Sequence, residues 1–169
     1  FRSAAFQRRI SAHPLMMFKE LKFLRWTILR SSLIGIFIGI LPGTGSVMSS
    51  LVAYGEEKRR SKNPDDFGKG APEGVAASEA ANNATTGGAL IPMLTLGIPG
   101  DPNTLMMLGA MFVQGLIPGP TLFREQTVLV YIIFGTMILC NLLILPFGYS
   151  LAPLVARLSL VNKKYIVPI

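Results

Sequence analysis

The sequence predicts an all-α fold, a polytopic membrane protein fragment with broken or re-entrant helices. Three observations lead there. Half of the residues are hydrophobic, 50% by count, and the mean hydropathy is +0.49, which is too apolar for an average soluble domain. Charge-free runs at Ser31–Gly55, Pro102–Phe123 and Gln126–Ala156 each reach or exceed the roughly 20 residues that cross a bilayer. Finally, apolar runs end in an aliphatic residue followed by Pro-Gly at Leu41-Pro42-Gly43, Ile98-Pro99-Gly100 and Ile117-Pro118-Gly119. Pro removes a backbone donor and Gly tolerates positive φ, so each pair breaks a helix. At membrane depth the freed backbone groups need protein, water or a ligand as partner, and transporters build substrate and ion sites from such breaks.

Residues 1–30 mix Arg and Lys with Phe, Leu, Met and Trp26 and read as a basic amphipathic connector at a membrane surface, against lipid, with Pro14 breaking it. The net charge is +7, but the basic residues cluster at Arg2–Arg30, Lys58–Lys69 and Arg157–Lys164, each beside an apolar run. That is the pattern of cytoplasmic loops under the positive-inside rule, and it argues against a nucleic-acid partner.

Residues 31–169 read as a membrane domain fragment. A single crossing by 31–54 would place two basic clusters on opposite sides, so this segment is expected to be broken or re-entrant. Leu33–Leu41 would descend about 13 Å, Pro42-Gly43-Thr44-Gly45 would turn, and Ser46–Tyr54 would return. Residues 55–71 form a polar, cytoplasmic loop. Residues 72–100 are a second broken or re-entrant segment, with Gly87-Gly88 as its turn. Spans follow at 102–122, started by Asp101-Pro102 as cap and first residue, and at 126–156, where Pro146 and Pro153 kink or end the helix. The third Pro-Gly ends a span at the surface. Two hairpins and two spans return all three basic clusters to one side. The chain starts at Phe1 and reads as a piece of a longer membrane protein.

On a helix, Glu79, Asn82, Asn83 and Thr86 share a face. Their oxygens suit a small hard cation, and their amide and hydroxyl donors suit a carboxylate; interhelical hydrogen bonding is the structural reading of the same face. Consecutive small residues at Gly43, Thr44 and Gly45 offer backbone N–H groups as an anion-binding nest. No Gly-Lys-Ser/Thr follows, so this is not a phosphate P-loop. Its match to a cell-wall sorting signal lies too far inside the chain to act as one. Gly87, Gly97, Pro99 and Gly100 complete the candidate substrate and ion site. Asp101 ligates a cation or caps the next helix; we read it as a cap, whose charge would repel an anion from that helix end.

Gly35-x-x-x-Gly39 permits close helix packing. Cys140 is a packed small hydrophobe, His13 stands alone, and no metal site, catalytic residues or enzymatic constellation is visible. No cofactor is expected beyond a coupling Na+ or H+.

In this order, Gly39-Ile-Leu-Pro-Gly-Thr-Gly45, Ala53-Tyr-Gly-Glu-Glu-Lys58, Phe67-Gly-Lys-Gly70, Glu73-Gly-Val-Ala-Ala77, Glu79-Ala-Ala-Asn-Asn-Ala84, Gly87-Gly-Ala-Leu-Ile-Pro92, Leu96-Gly-Ile-Pro-Gly100 and Gly115-Leu-Ile-Pro-Gly-Pro120 resemble the large membrane subunit of the tripartite tricarboxylate transporter family. The resemblance implies a multi-pass permease of the bacterial inner membrane. It would carry tri- or dicarboxylates, coupled to an ion gradient, with a small membrane subunit and a periplasmic substrate-binding protein as partners. It also implies that this chain resembles the start of the second of two repeats. Ser78 stands where Pro is common in the family and Asp101 where a small hydroxyl residue is frequent. The alternative from a different class is a non-transporting scaffold that docks partner proteins through its basic loops.

Overall fold

The computed structural model describes residues 14–158. Six α-helices follow one another: α1 (Pro14–Ile40), α2 (Gly45–Arg60), α3 (Pro72–Leu96), α4 (Pro102–Val113), α5 (Pro120–Glu125) and α6 (Thr127–Leu158), with a 3-10 turn at Pro64–Asp66 between α2 and α3. Every regular element among the described residues is helical. The chain divides into a unit formed by Phe18–Thr127 and a second that holds α6 from Val128 onward. By length and composition, Leu21–Ile40 in α1 and Thr127–Ala152 in α6 can cross a bilayer.

Helices α1 and α2 form a hairpin whose turn is the first Pro-Gly break. Ionic and hydroxyl contacts join the two legs on the far side from that turn. The buried Glu57 accepts from Thr27 Oγ1 at 2.8 Å and from Arg30 Nη2 at 3.0 Å. From Arg30 to Leu41 the leg runs about 16 Å, half of a ~30 Å hydrocarbon core. Nearby, the Arg60 guanidinium holds the partly exposed Glu56 carboxyl below its usual value of 4.5. That contribution is complete above the ordinary carboxylate value and is lost as pH falls through the lowered one.

The connector and the first apolar run are not separate. Helix α1 passes through Arg30 without interruption from Pro14, its first described residue; the expected break at Pro14 lies at the edge of the described residues. The basic residues before Pro14, His13 and the cluster's end at Lys163 and Lys164 lie outside the described residues.

Helix α3 corrects a second expectation. It runs unbroken from Pro72 to Leu96, straight through Gly87-Gly88, so the turn expected there is absent. The glycine serves packing instead. A Cβ on Gly88 would strike the main chain of Ile36, one on Gly35 the main chain of Ala81, and one on Gly39 would come within 3.0 Å of Ala89 N. Ala53, Ala77 and Ala81 are buried between the helices with Ile34 against them. The α3 face Gly74, Ala77, Ala81, Thr85, Gly88 is therefore a strip of small residues on which α1 and α2 lie. Hydroxyls stitch it: Thr85 Oγ1 is 2.5 Å from Ser49 Oγ and 2.7 Å from the Ala81 carbonyl, and Ser50 Oγ donates to Ser78 O at 3.2 Å. At the loop end, Phe67 packs edge-on against Tyr54, with ring centroids 5.3 Å apart, and both press on Gly74.

The segment expected to cross at 102–122 is two helices. Helix α4 has 12 residues, about 18 Å. It ends because Gly115 takes the left-handed conformation, φ 73°, and Pro118 follows. Helix α6 has 32 residues and continues past Pro146 and Pro153. Within it, Asn141 and Ser150 donate to main-chain carbonyls one turn back at 2.9 and 2.8 Å, which satisfies both polar groups inside the helix.

The neighbouring glycines give opposite predictions. Gly87 faces open space, so Gly87→Ala should raise stability by up to about 1 kcal/mol through helix propensity. Gly88→Ala should lower it by about 1–3 kcal/mol through overpacking. Thermal unfolding of the purified full-length protein in detergent reads both.

Candidate functional site

The first break is built by Pro42, which has no N–H, and by glycines on either side of Thr44. Gly43 and Gly45 hold φ of 77° and 66°, while Thr44 is right-handed at φ −77°, ψ −36°. This left–right–left sequence gives a backbone nest its curvature. Thr44 Oγ1 lies 2.7 Å from the Ile38 carbonyl and 2.8 Å from that of Leu41. Its hydroxyl therefore satisfies the last turn of α1 rather than capping α2.

At the second break, Gly97 closes α3 in the left-handed conformation, with its N–H on Met93 O at 3.0 Å and the Ile98 N–H on Pro92 O at 3.3 Å. Pro99 then forbids continuation. Ile98 bonds Pro92 instead of Leu94, and the Leu94 carbonyl is taken by Gly119 N at 2.9 Å. The third break thus docks on the end of the second, with the Cβ of Pro118 3.8 Å from where a Gly97 Cβ would lie. Its expected role as a simple surface stop gives way to this contact: it repairs a carbonyl that the second break exposes.

The chain then folds back onto the first break. A Cβ on Gly100 would sit 2.9 Å from Ala89 Cβ and 3.0 Å from Gly39 O, so this residue admits no side chain. A cavity of about 270 Å³ opens here, lined by Gly43, Gly45, Pro99, Gly100, Asp101, Pro102 and Leu105. It lies at the small end of ligand pockets, which run to about 300–1,000 Å³. A larger cavity, about 400 Å³, lies between α1 and α2 and is lined by Arg30, Leu33, Ile34, Val52, Glu56 and Arg60. Its arginines already pair with Glu57 and Glu56, and it touches none of the breaks.

Asp101 caps α4 through a full capping box. Its Oδ1 accepts from Thr104 N at 2.7 Å, and Thr104 Oγ1 accepts from Asp101 N at 3.0 Å.

Of the residues singled out from sequence, Gly43, Gly45, Pro99 and Gly100 meet in this cavity, and Gly97 supports it from the α3 end. Glu79, Asn82, Asn83, Thr86 and Gly87 do not line it. They occupy the α3 flank beside the packed strip, with Asn82 and Thr86 half-buried and Glu79, Asn83 and Gly87 exposed. Asn83 Nδ2 donates to Glu79 O at 3.0 Å. Asn82 and Thr86 stand seven and three residues before Ala89, on the edge that leads to Gly100, about 10 and 5 Å along the axis. Sequence reasoning left Asp101, Pro102 and Leu105 out of the site; a charged residue directly after a Pro-Gly break was the available signal for Asp101.

The described helices thus combine two segments long and apolar enough to cross a bilayer with helix breaks that meet at one place. The chain matches the tripartite tricarboxylate transporter TctA family over residues 2–169, and it belongs to that family. It is 38% identical over 141 residues to an uncharacterized 52.8 kDa protein in the TAR-I ttuC' 3' region of Agrobacterium vitis, covering 83% of this chain and 28% of that protein. It is 40% identical over 134 residues to an uncharacterized protein in the TAR-II ttuC' 3' region of the same organism, covering 79% of this chain and 55% of that protein. The chain therefore spans from about a quarter to about half of the relatives it matches. No solved structure matches it.

Each glycine at the breaks has its own reason to be glycine. Gly43→Ala and Gly45→Ala meet no neighbour and should cost about 1–2 kcal/mol each through the left-handed backbone alone. Gly100→Ala should cost about 1–3 kcal/mol through contact. Gly109, in open space within α4, supplies the control substitution in the same unfolding measurement.

Proposed function

We propose that this chain is part of the permease subunit of a binding-protein-dependent, ion-coupled carrier of tri- or dicarboxylates in the bacterial inner membrane. Membership of the TctA family supports the tricarboxylate class. The observation that carries the site is the meeting of the first two Pro-Gly breaks around one small cavity, beside a flank bearing Asn82 and Thr86. A nest at Gly43–Gly45 offers the glycine N–H groups to a carboxylate, while the Thr44 N–H bonds the Leu41 carbonyl at 3.5 Å. The flank adds amide and hydroxyl donors with no basic side chain, so recognition runs through dipoles and a co-bound cation rather than through arginine. A small membrane subunit and a periplasmic binding protein are the partners that a tripartite system of this class would use.

Uptake of labelled carboxylates into proteoliposomes holding the full-length protein and its partner subunits, with and without a sodium gradient and binding protein, tests the proposal. Asn82→Ala and Asn83→Ala should abolish gradient-driven uptake. Uptake at the wild-type rate in both variants would refute the assignment of the flank. If the chain is a scaffold instead, charge reversal at Lys58–Lys62 will destroy assembly while the Asn pair is dispensable.

A further inference from the structure

Capping accounts for only one oxygen of Asp101. The residue is 8% exposed. Its Oδ1 accepts from Thr104 N and lies 2.8 Å from Thr104 Oγ1, while its buried Oδ2 has no hydrogen-bond partner among the described residues. A buried carboxylate oxygen without a partner is costly, so its retention needs a reason.

The surroundings supply one. Asp101 lines the cavity between the breaks, and its other walls are Gly43, Gly45, Pro99, Gly100, Pro102 and Leu105. None of these bears a polar side chain, so every other polar group they contribute is main chain. No Lys, Arg or His lines the cavity to balance the charge. The N-terminal end of α4 and the two Thr104 groups engage one side of the carboxylate, and its other oxygen is left for a ligand. One carboxylate with carbonyl oxygens is a hard, singly charged donor set. Calcium takes more oxygen ligands and zinc prefers nitrogen and sulfur. Among the described residues no three His, Cys, Asp or Glu side chains converge.

We propose that Asp101 Oδ2 anchors a sodium-type alkali cation between the first and second Pro-Gly breaks, with main-chain carbonyls as its other ligands. The assignment of this cation as the coupling ion rests on the transport reading above. Without the cation, Asp101 repels a carboxylate from the nest at Gly43–Gly45. With it, the same corner attracts one, so the ion binds first and prepares the substrate site.

The test is binding of radiolabelled sodium to the full-length protein in lipid nanodiscs, against a background of choline, for wild type, Asp101→Asn and Asp101→Ser. Both substitutions keep an N-cap acceptor and remove the charge. The wild type should bind sodium saturably and melt at higher temperature in its presence. Both variants should fold, keep their sodium-free melting temperature, and lose the binding and the shift together. Absence of saturable binding by the wild type, or equal binding by the variants, overturns the site. Carboxylate uptake measured in parallel separates the two ideas. Uptake by Asp101→Asn with unchanged sodium dependence overturns the ion site and leaves the transport reading standing. Sodium binding lost in both variants, together with no carboxylate uptake by the wild type, supports the site and removes the transport reading.

Discussion

The main chains of α1 and α3 touch, and the rest of the unit depends on that contact. Lipid tails are as apolar as leucine, so burial alone gives helices in a bilayer little reason to associate. Close approach, dispersion and short hydrogen bonds must hold them. Gly35, Gly39 and Gly88 remove the side chains that would keep the backbones apart. The alanines at 53, 77 and 81 fill the space without widening it. Ser49, Ser50 and Thr85 then reach carbonyls or one another across the seam. One added methyl group at Gly88 would meet backbone, which cannot turn aside as a side chain can.

That seam fixes where the helix breaks fall. Since Gly39 packs on Thr85–Ala89 and Gly100 packs on Gly39 and Ala89, the turn after α1 and the turn after α3 arrive at one place. The accounting of backbone groups explains why the third break joins them. Ending α3 with Gly97-Ile98-Pro99 diverts the Ile98 N–H to Pro92 and frees the Leu94 carbonyl, which Gly119 satisfies. A repeated sequence signal thus does three jobs: a nest, a helix end, and the group that completes that helix end. Together the breaks enclose a small corner lined mainly by main chain and one carboxylate.

Much of this was legible in the sequence. Charge-free runs gave the helical membrane class, and the three Pro-Gly pairs gave the helix ends at Ile40 and Leu96. Gly35-x-x-x-Gly39 announced close packing but not its partner, because spacing along one helix carries no information on which strip faces it. Gly87-Gly88 misled for the same reason: in isolation a Gly pair signals a turn, and only the contact with Ile36 shows that the backbone needs room rather than freedom. Glu57 lay in a segment read as a solvated polar loop, yet it is buried by a partner 27 residues earlier, Arg30. The cap at Asp101 was readable from Asp-Pro; the unpartnered second oxygen was not, since it depends on residues sixty positions away folding against it.

The register of α3 on the α1–α2 hairpin is the central claim, and disulfide trapping of α2 on α3 in native membranes tests it most directly. With Cys140 and any further native cysteine replaced by serine in the full-length protein, Ser49→Cys and Thr85→Cys should cross-link rapidly under mild oxidation, because their hydroxyl oxygens lie 2.5 Å apart. Ser49→Cys with Thr95→Cys should not, since Thr95 stands ten residues beyond Thr85 along α3, about 15 Å. Equal or faster trapping of the second pair would place α3 in another register, separate the Pro-Gly breaks and contradict the account.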